Sequence, residues 1–110
     1  MRLYQKVVDT YGSDIDTSNQ DAMIMISITV GFQASLAGIT GDINPQTITA
    51  TVKSMKETEL PGGDGIKFRC NGKADPANAA VCLRGGLTTT LNDKGQPAAY
   101  QVLGNAAIPS

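Results

Sequence analysis

No charged side chain occurs between Asp21 and Asp42; the intervening stretch reads "AMIMISITVGFQASLAGITG". A run of this kind has few places to go. About 18 or more consecutive apolar residues would suit a bilayer span, but Ser27, Thr29, Gln33, Ser35 and the glycines at 31, 38 and 41 dilute this one too heavily. Two readings outside a membrane remain. Ile24, Ile26, Ile28, Val30 and Phe32 alternate with period two and are mostly β-branched, the pattern of a strand. Ile24, Ile28, Phe32, Leu36 and Ile39 also fall on one stripe of a helix. The length of the run exceeds that of usual strands and favours the helix, while the pattern by itself leaves both open.

The flanking segments are easier to read. Arg2 to Tyr11 places Leu3, Val7 and Val8 on one side of a short amphipathic helix, which Gly12 ends. "SDIDTSNQD" is rich in turn and cap formers, so Thr17 or Ser18 is expected to cap a second helix starting near Asn19. "NPQTITATVKSM" predicts a third helix over Pro45 to Met55, with Asn44 as its cap and Pro45 at the first position, where a missing N–H costs nothing. Ile48, Val52 and Met55 would face a core. The period then changes to two. Ile66 and Phe68 alternate with Lys67 and Arg69 in a strand with one buried face. "VCLRGGLTTTLND" reads as a second strand, bent or bulged at Gly85-Gly86. "NDKG" is a turn and "AAYQVLG" a third strand.

Composition limits what such a chain can do. At 110 residues, 41% hydrophobic and 17% charged, it can bury one core and does not resemble a disordered tail. A formal charge of -1 removes the electrostatic case for nucleic acid or anionic lipid. The two cysteines, Cys70 and Cys82, have no histidine to share a zinc site with. A disulfide between them is the natural expectation and implies an oxidising compartment; two reduced, buried thiols are the alternative. The opening "MRLYQKVVDTYGSD" has no export signal, so either a signal has been removed or the chain is cytosolic.

No catalytic constellation emerges. Without histidine there is no Ser-His or Cys-His nucleophile pair and no His metal ligand. Asp14, Asp16 and Ser18 sit at the first, third and fifth positions of a calcium loop, but Asn19 replaces its glycine and Met25 its bidentate glutamate, so a capping turn is the better reading. "GGDGIKF" offers Gly63 and Gly65 towards a dinucleotide fingerprint, yet Phe68 occupies the third glycine position and the stretch leads into a strand, not a helix. Glu57 and Glu59 read as solvated carboxylates. No cofactor or metal is expected, and the chain is read as non-enzymatic.

The order of elements carries more information. A cap-rich turn and a long helix are followed by "GDINPQTITATVKSM", a Pro-Gly-Gly-x-Gly turn, "IKFRCNGK", a second Cys and "LNDKGQPAAYQVL". This series resembles the C-terminal segment of type I periplasmic solute-binding proteins, the branched-chain amino acid receptors of ATP-driven importers. The matching positions are Pro45, Ile48 and Val52; Gly63, Gly65 and Phe68; and Asp93, Gly95, Tyr100 and Val102. The likeness extends from about Tyr11 onward.

The resemblance tips Ala22 to Gly38 towards helix and implies an extracytoplasmic chain, periplasmic or anchored at the cell surface. The fold class it implies is α/β, part of a two-lobed type I periplasmic-binding fold. About three helices would precede about three antiparallel strands, with residues 1–60 a mainly helical lobe portion and 61–110 a strand-rich portion holding the Cys loop. The chain would then be one piece of a longer receptor. Its partners would be a small ligand and the membrane permease of an importer, with a homodimer or strand-exchanged oligomer for the piece alone. Family receptors turn a side chain near the start of the long helix to the cleft, which aligns on Met23, Ile24 or Met25; several carry an aromatic there, and this chain does not. A pilin-like filament subunit, with one long helix before an antiparallel sheet, and a small standalone binding module are the rival expectations.

Overall fold

A computed structural model describes residues 2–110. Three helices precede two small antiparallel sheets: α1 (Arg2–Tyr11), α2 (Gln20–Ser35), α3 (Pro45–Ser54), β1 (Thr58–Glu59), β2 (Lys67–Phe68), β3 (Gly85–Leu91) and β4 (Pro97–Gly104). The charge-free run is therefore helical as far as Ser35, which ends its strand reading, and it leaves the helix at Leu36, so that Leu36 and Ile39 of the expected stripe lie beyond α2.

Local chemistry explains where each helix starts. The α2 cap is Asn19, not Thr17 or Ser18: its side-chain oxygen accepts the backbone N–H groups of Asp21 at 3.0 Å and Ala22 at 3.3 Å. Ser18 is held one step earlier, its N–H and hydroxyl both donating to the Asp16 carboxylate. These bonds hold the Asp16 carboxyl below the usual carboxylate range. In α3 the capping is reciprocal. Asn44 accepts from the Thr47 N–H at 2.9 Å, and the Thr47 hydroxyl accepts from the Asn44 N–H at 3.0 Å. Ile48 and Val52 are half-buried on this helix, as is Met55, which caps its C-terminus. On α1 the buried pair is Tyr4 and Val8, four residues apart, whereas Leu3 is exposed, so the expected Leu3 face is displaced by one position around the helix.

The sheets correct the expected count of three strands. The strand around Phe68 pairs with β1, a two-residue strand that the period-two pattern does not mark, in the register Thr58 to Phe68 and Glu59 to Lys67. The second sheet is the hairpin of β3 and β4, joined by the turn at Asn92 to Gly95. Its irregularity lies between Thr89 and Leu91, beside the turn, and not at Gly85-Gly86, which pair regularly with Gly104 and Leu103. Gly104 has φ 88, and a Cβ there would lie 2.7 Å from the Arg84 carbonyl oxygen, so the close of the hairpin needs glycine.

Residues far apart in the chain build the core: Tyr4, Val8, Ile66, Phe68, Ala74 and Ile108 are buried. Polar staples fix the C-terminal segment over it. The Cys70–Cys82 disulfide closes the loop after β2, and the Arg69 N–H donates to the Cys82 carbonyl at 2.9 Å beside it. Within that loop Asp75 accepts from the Ala77 N–H and the Asn78 amide, which lowers its carboxyl below the usual range. The Arg84 guanidinium donates to three carbonyls, those of Ala74 (2.9 Å), Ala107 (2.8 Å) and Lys73 (3.0 Å), tying the loop to the C-terminal segment. The Asn105 side chain accepts the Lys67 N–H and donates to the Gly65 carbonyl, joining the end of β4 to β2.

Two outcomes follow from this scaffold. Reduction of Cys70–Cys82 should lower the unfolding free energy by about 3 kcal/mol, as loop closure predicts; urea denaturation with and without reductant reads it. Arg84→Lys should cost about 1–2 kcal/mol in the same assay, because an ammonium cannot reproduce a planar fork across three carbonyls.

Candidate functional site

Two stretches of α2 meet the rest of the chain differently. The start of the helix faces the β3–β4 hairpin across a cleft of about 510 Å³. Met23 and Tyr100 form its apolar floor, and Thr17, Gln20, Asn92 and Gln96 lie around it. The elements that place these residues are the Asn19 cap, which fixes where α2 begins, and the Asn92 turn, which fixes the hairpin register. Gln20 Nε2 donates to Tyr100 Oη at 3.2 Å, linking the two walls. Met23 and Tyr100 also line an adjoining cleft of about 270 Å³, with Asp64, Leu87 and Ala98.

Several of the amides in the larger cleft serve the fold. Asn92 Oδ1 accepts the N–H groups of Lys94 and Gln96, and Asn92 Nδ2 donates to Gln96 Oε1. Asn19 Oδ1 is committed to the cap. Among the described residues, Asn19 Nδ2, Gln20 Oε1 and Gln96 Nε2 form no hydrogen bond. The larger cleft therefore presents an apolar floor with neutral amide donors and acceptors, and no charged side chain lines it. A lining of this kind can orient a small polar molecule through hydrogen bonds.

Of the three residues named from sequence at the helix start, Met23 is half-buried at both clefts. Ile24 and Met25 are 48% and 59% exposed and line neither. Tyr100 and Gln20 are the residues that sequence reasoning missed here. Tyr100 matches the motif of the last strand, but only the hairpin register shows that it turns towards α2.

The later stretch of the helix meets an apolar surface. A groove of about 530 Å³ runs between α2 and the disulfide region, with Ile28 and Phe32 on one side and Val52, Leu60, Phe68 and Leu83 among the residues opposite. Ser27, Gly31 and Ser35 form its base along α2. No charged residue lines it, and the Ser35 hydroxyl is spent on the Phe32 carbonyl. Among the described residues, no group of three or more acidic, Cys or His side chains could hold a metal ion, and no helix is long and apolar enough to cross a membrane.

Comparison with protein-family models, with curated proteins and with solved structures finds no match to this chain.

The bond from Gln20 to Tyr100 is solvent-exposed, so Tyr100→Phe should leave the unfolding free energy within about 0.5 kcal/mol of the parent. Tyr100→Ala should lower it by more than 1 kcal/mol or so, because the ring floors both clefts. Equal losses in urea denaturation would mean that the hydroxyl, and not the ring, holds the walls together.

Proposed function

We propose that this chain is the C-terminal portion of an extracytoplasmic solute-binding protein, capturing an amino acid or similar small polar solute for an ATP-driven importer. The observation that carries the reading is the cleft at the start of α2. It lies where the resemblance puts the ligand-facing side chain, it has an apolar floor with neutral polar groups around it, and it contains no catalytic constellation. In this reading the fold is one part of a two-lobed type I periplasmic-binding structure. The remaining cleft wall comes from elements outside these 110 residues, and the permease of the importer is the membrane partner. Function is differential binding by lobes that close on the ligand, without chemistry.

Two further observations support it. The Cys70–Cys82 disulfide suits an oxidising, extracytoplasmic compartment. Three helices separated by loops precede the strands, which suits the receptor segment better than a filament subunit built on one long helix.

Among the three residues at the helix start, Met23 is the one that contacts solute in this reading. In the protein expressed from its complete reading frame, titration with the free amino acids by calorimetry should identify a binder. Met23→Asp should then weaken it at least about tenfold, a loss of about 1.4 kcal/mol, with the thermal transition retained. Unchanged affinity in a folded Met23→Asp protein would remove the cleft from the binding site. A reading frame that continues upstream only into one hydrophobic helix would replace the receptor reading with the filament one.

A further inference from the structure

The turn between β1 and β2 brings a carboxylate to the smaller of the two clefts at the start of α2. Asp64 is the one charged side chain lining either cleft, and no lysine or arginine lines them. The carboxylates of Asp16, Asp75 and Glu57 serve the fold, accepting the backbone N–H groups of Ser18, Ala77 and Ile108 at 2.9, 2.9 and 2.7 Å. Asp64 has no such duty: among the described residues its side chain makes no hydrogen bond and no ion pair.

The backbone that carries it is held on both sides. The Gly63 N–H donates to the Leu60 carbonyl at 2.8 Å, the Ile66 N–H to the Gly63 carbonyl at 3.1 Å and the Leu60 N–H to the Ile66 carbonyl at 2.7 Å. Asn105 Nδ2 donates to the Gly65 carbonyl at 3.0 Å. Gly62 lies so close to α2 that a Cβ on it would come 2.8 Å from Ser27 Oγ. Asp64 itself has φ 54, a left-handed conformation that aspartate adopts more readily than most residues. The turn is thus pinned to α2 and to the end of β4. Its carboxylate is placed before any ligand arrives, which spares the ordering cost that a mobile loop adds to binding.

Around the carboxylate the lining is apolar, with Met23, Leu87, Ala98 and the Tyr100 ring. Apolar walls lower the local dielectric, so a cation gains more from Asp64 here than from a carboxylate in open water. The electron-rich Tyr100 ring adds to that attraction. An anion is repelled. Beyond the shared Met23–Tyr100 floor, the larger cleft offers neutral amides and no charge. We propose that the two clefts form one site for a singly charged amine, its ammonium donating to the Asp64 carboxylate and its neutral, hydrogen-bonding end lying among Asn19, Gln20 and Gln96. The inference rests on the reading of the larger cleft as a solute site and narrows it. The ammonium is the group that this wall selects, a carboxylate is not, and Asp64 determines the choice.

Ethanolamine, ethylene glycol and glycolate share a hydroxymethyl end and carry an ammonium, a hydroxyl or a carboxylate at the other. Their titration into the protein expressed from its complete reading frame tests the site, read by nuclear magnetic resonance of isotope-labelled methionine methyl groups. Met23 reports on both clefts, and Met25, which lines neither, is the internal control. Ethanolamine should shift Met23 saturably and leave Met25 in place, with ethylene glycol and glycolate binding at least about tenfold more weakly. Asp64→Asn keeps the size of the side chain and suits the same backbone conformation. It should weaken ethanolamine at least about fivefold, as loss of a charge-assisted hydrogen bond predicts, and leave ethylene glycol unchanged. Ethylene glycol binding as tightly as ethanolamine would overturn the amine site. So would an Asp64→Asn protein that holds ethanolamine like the parent, a preference for glycolate, or a Met23 resonance that no probe moves. The receptor reading fails in the separate titration with free amino acids, so the two failures are told apart.

Discussion

The close approach between the β1–β2 turn and the small-residue face of α2 decides most of what this molecule presents to its surroundings. Leu60 and Gly62 come against Gly31 and Ser27 at distances where an added Cβ would have to displace its neighbour. A helix that docks through glycine and serine can approach closely, but it buries little apolar area, at about 25 cal/mol for each Å² removed from water. The large side chains are left on another face. The polar cleft at one end of α2, the apolar groove along it and the exposed stripe beside that groove are three consequences of one docking choice.

Burial being modest, specific polar contacts hold the C-terminal half in register. A two-stranded hairpin is marginal by itself, and β3–β4 is largely exposed on both faces. Its base is anchored instead. Asn105 bonds to the Lys67 N–H and the Gly65 carbonyl, the Arg84 guanidinium binds carbonyls on both sides, and the Ile108 N–H donates to the Glu57 carboxylate at 2.7 Å. The disulfide completes this anchoring at the loop after β2. The tip of the hairpin is set by Asn92 and is free of such ties to the core, so the wall bearing Tyr100 is fixed at its base and linked to α2 through Gln20.

What the sequence revealed follows from the range over which its forces act. Caps and turns are local, so the α3 cap at Asn44, the helix end at Gly12 and the Asn92 turn could be read directly, although the reciprocal bond from Thr47 could not. Even the α2 cap missed by only one residue, because Asp16 competes for Ser18 and leaves Asn19 to accept the orphan N–H groups. The two-residue strand β1 has no pattern long enough to show a period. The glycines at 85 and 86 looked like a bulge or bend but pair regularly; Gly85 is needed for the close approach of Asn105 across the hairpin, while a Cβ at Gly86 would meet open space. Likewise, Met23 could be named from the helix start, whereas Tyr100 could not be joined to it without the hairpin register.

The α2 stripe shows why periodicity alone does not locate a core. Ile24, Ile28 and Phe32 satisfy the spacing of a buried face, and helical period is indeed what they encode. Which of two adjacent stripes turns inwards is a separate matter, settled by what the neighbouring segment can approach. Here a Pro-Gly-Gly turn needs a flat surface, and only the Ser27–Gly31–Ser35 row provides one. The larger stripe is then available for a contact beyond the chain. A monomer selected for solubility alone would gain from a charge at position 28 or 32, where neither side chain is more than half-buried. The absence of any charge from Ala22 to Gly41 is better explained by a surface that is covered in the working molecule.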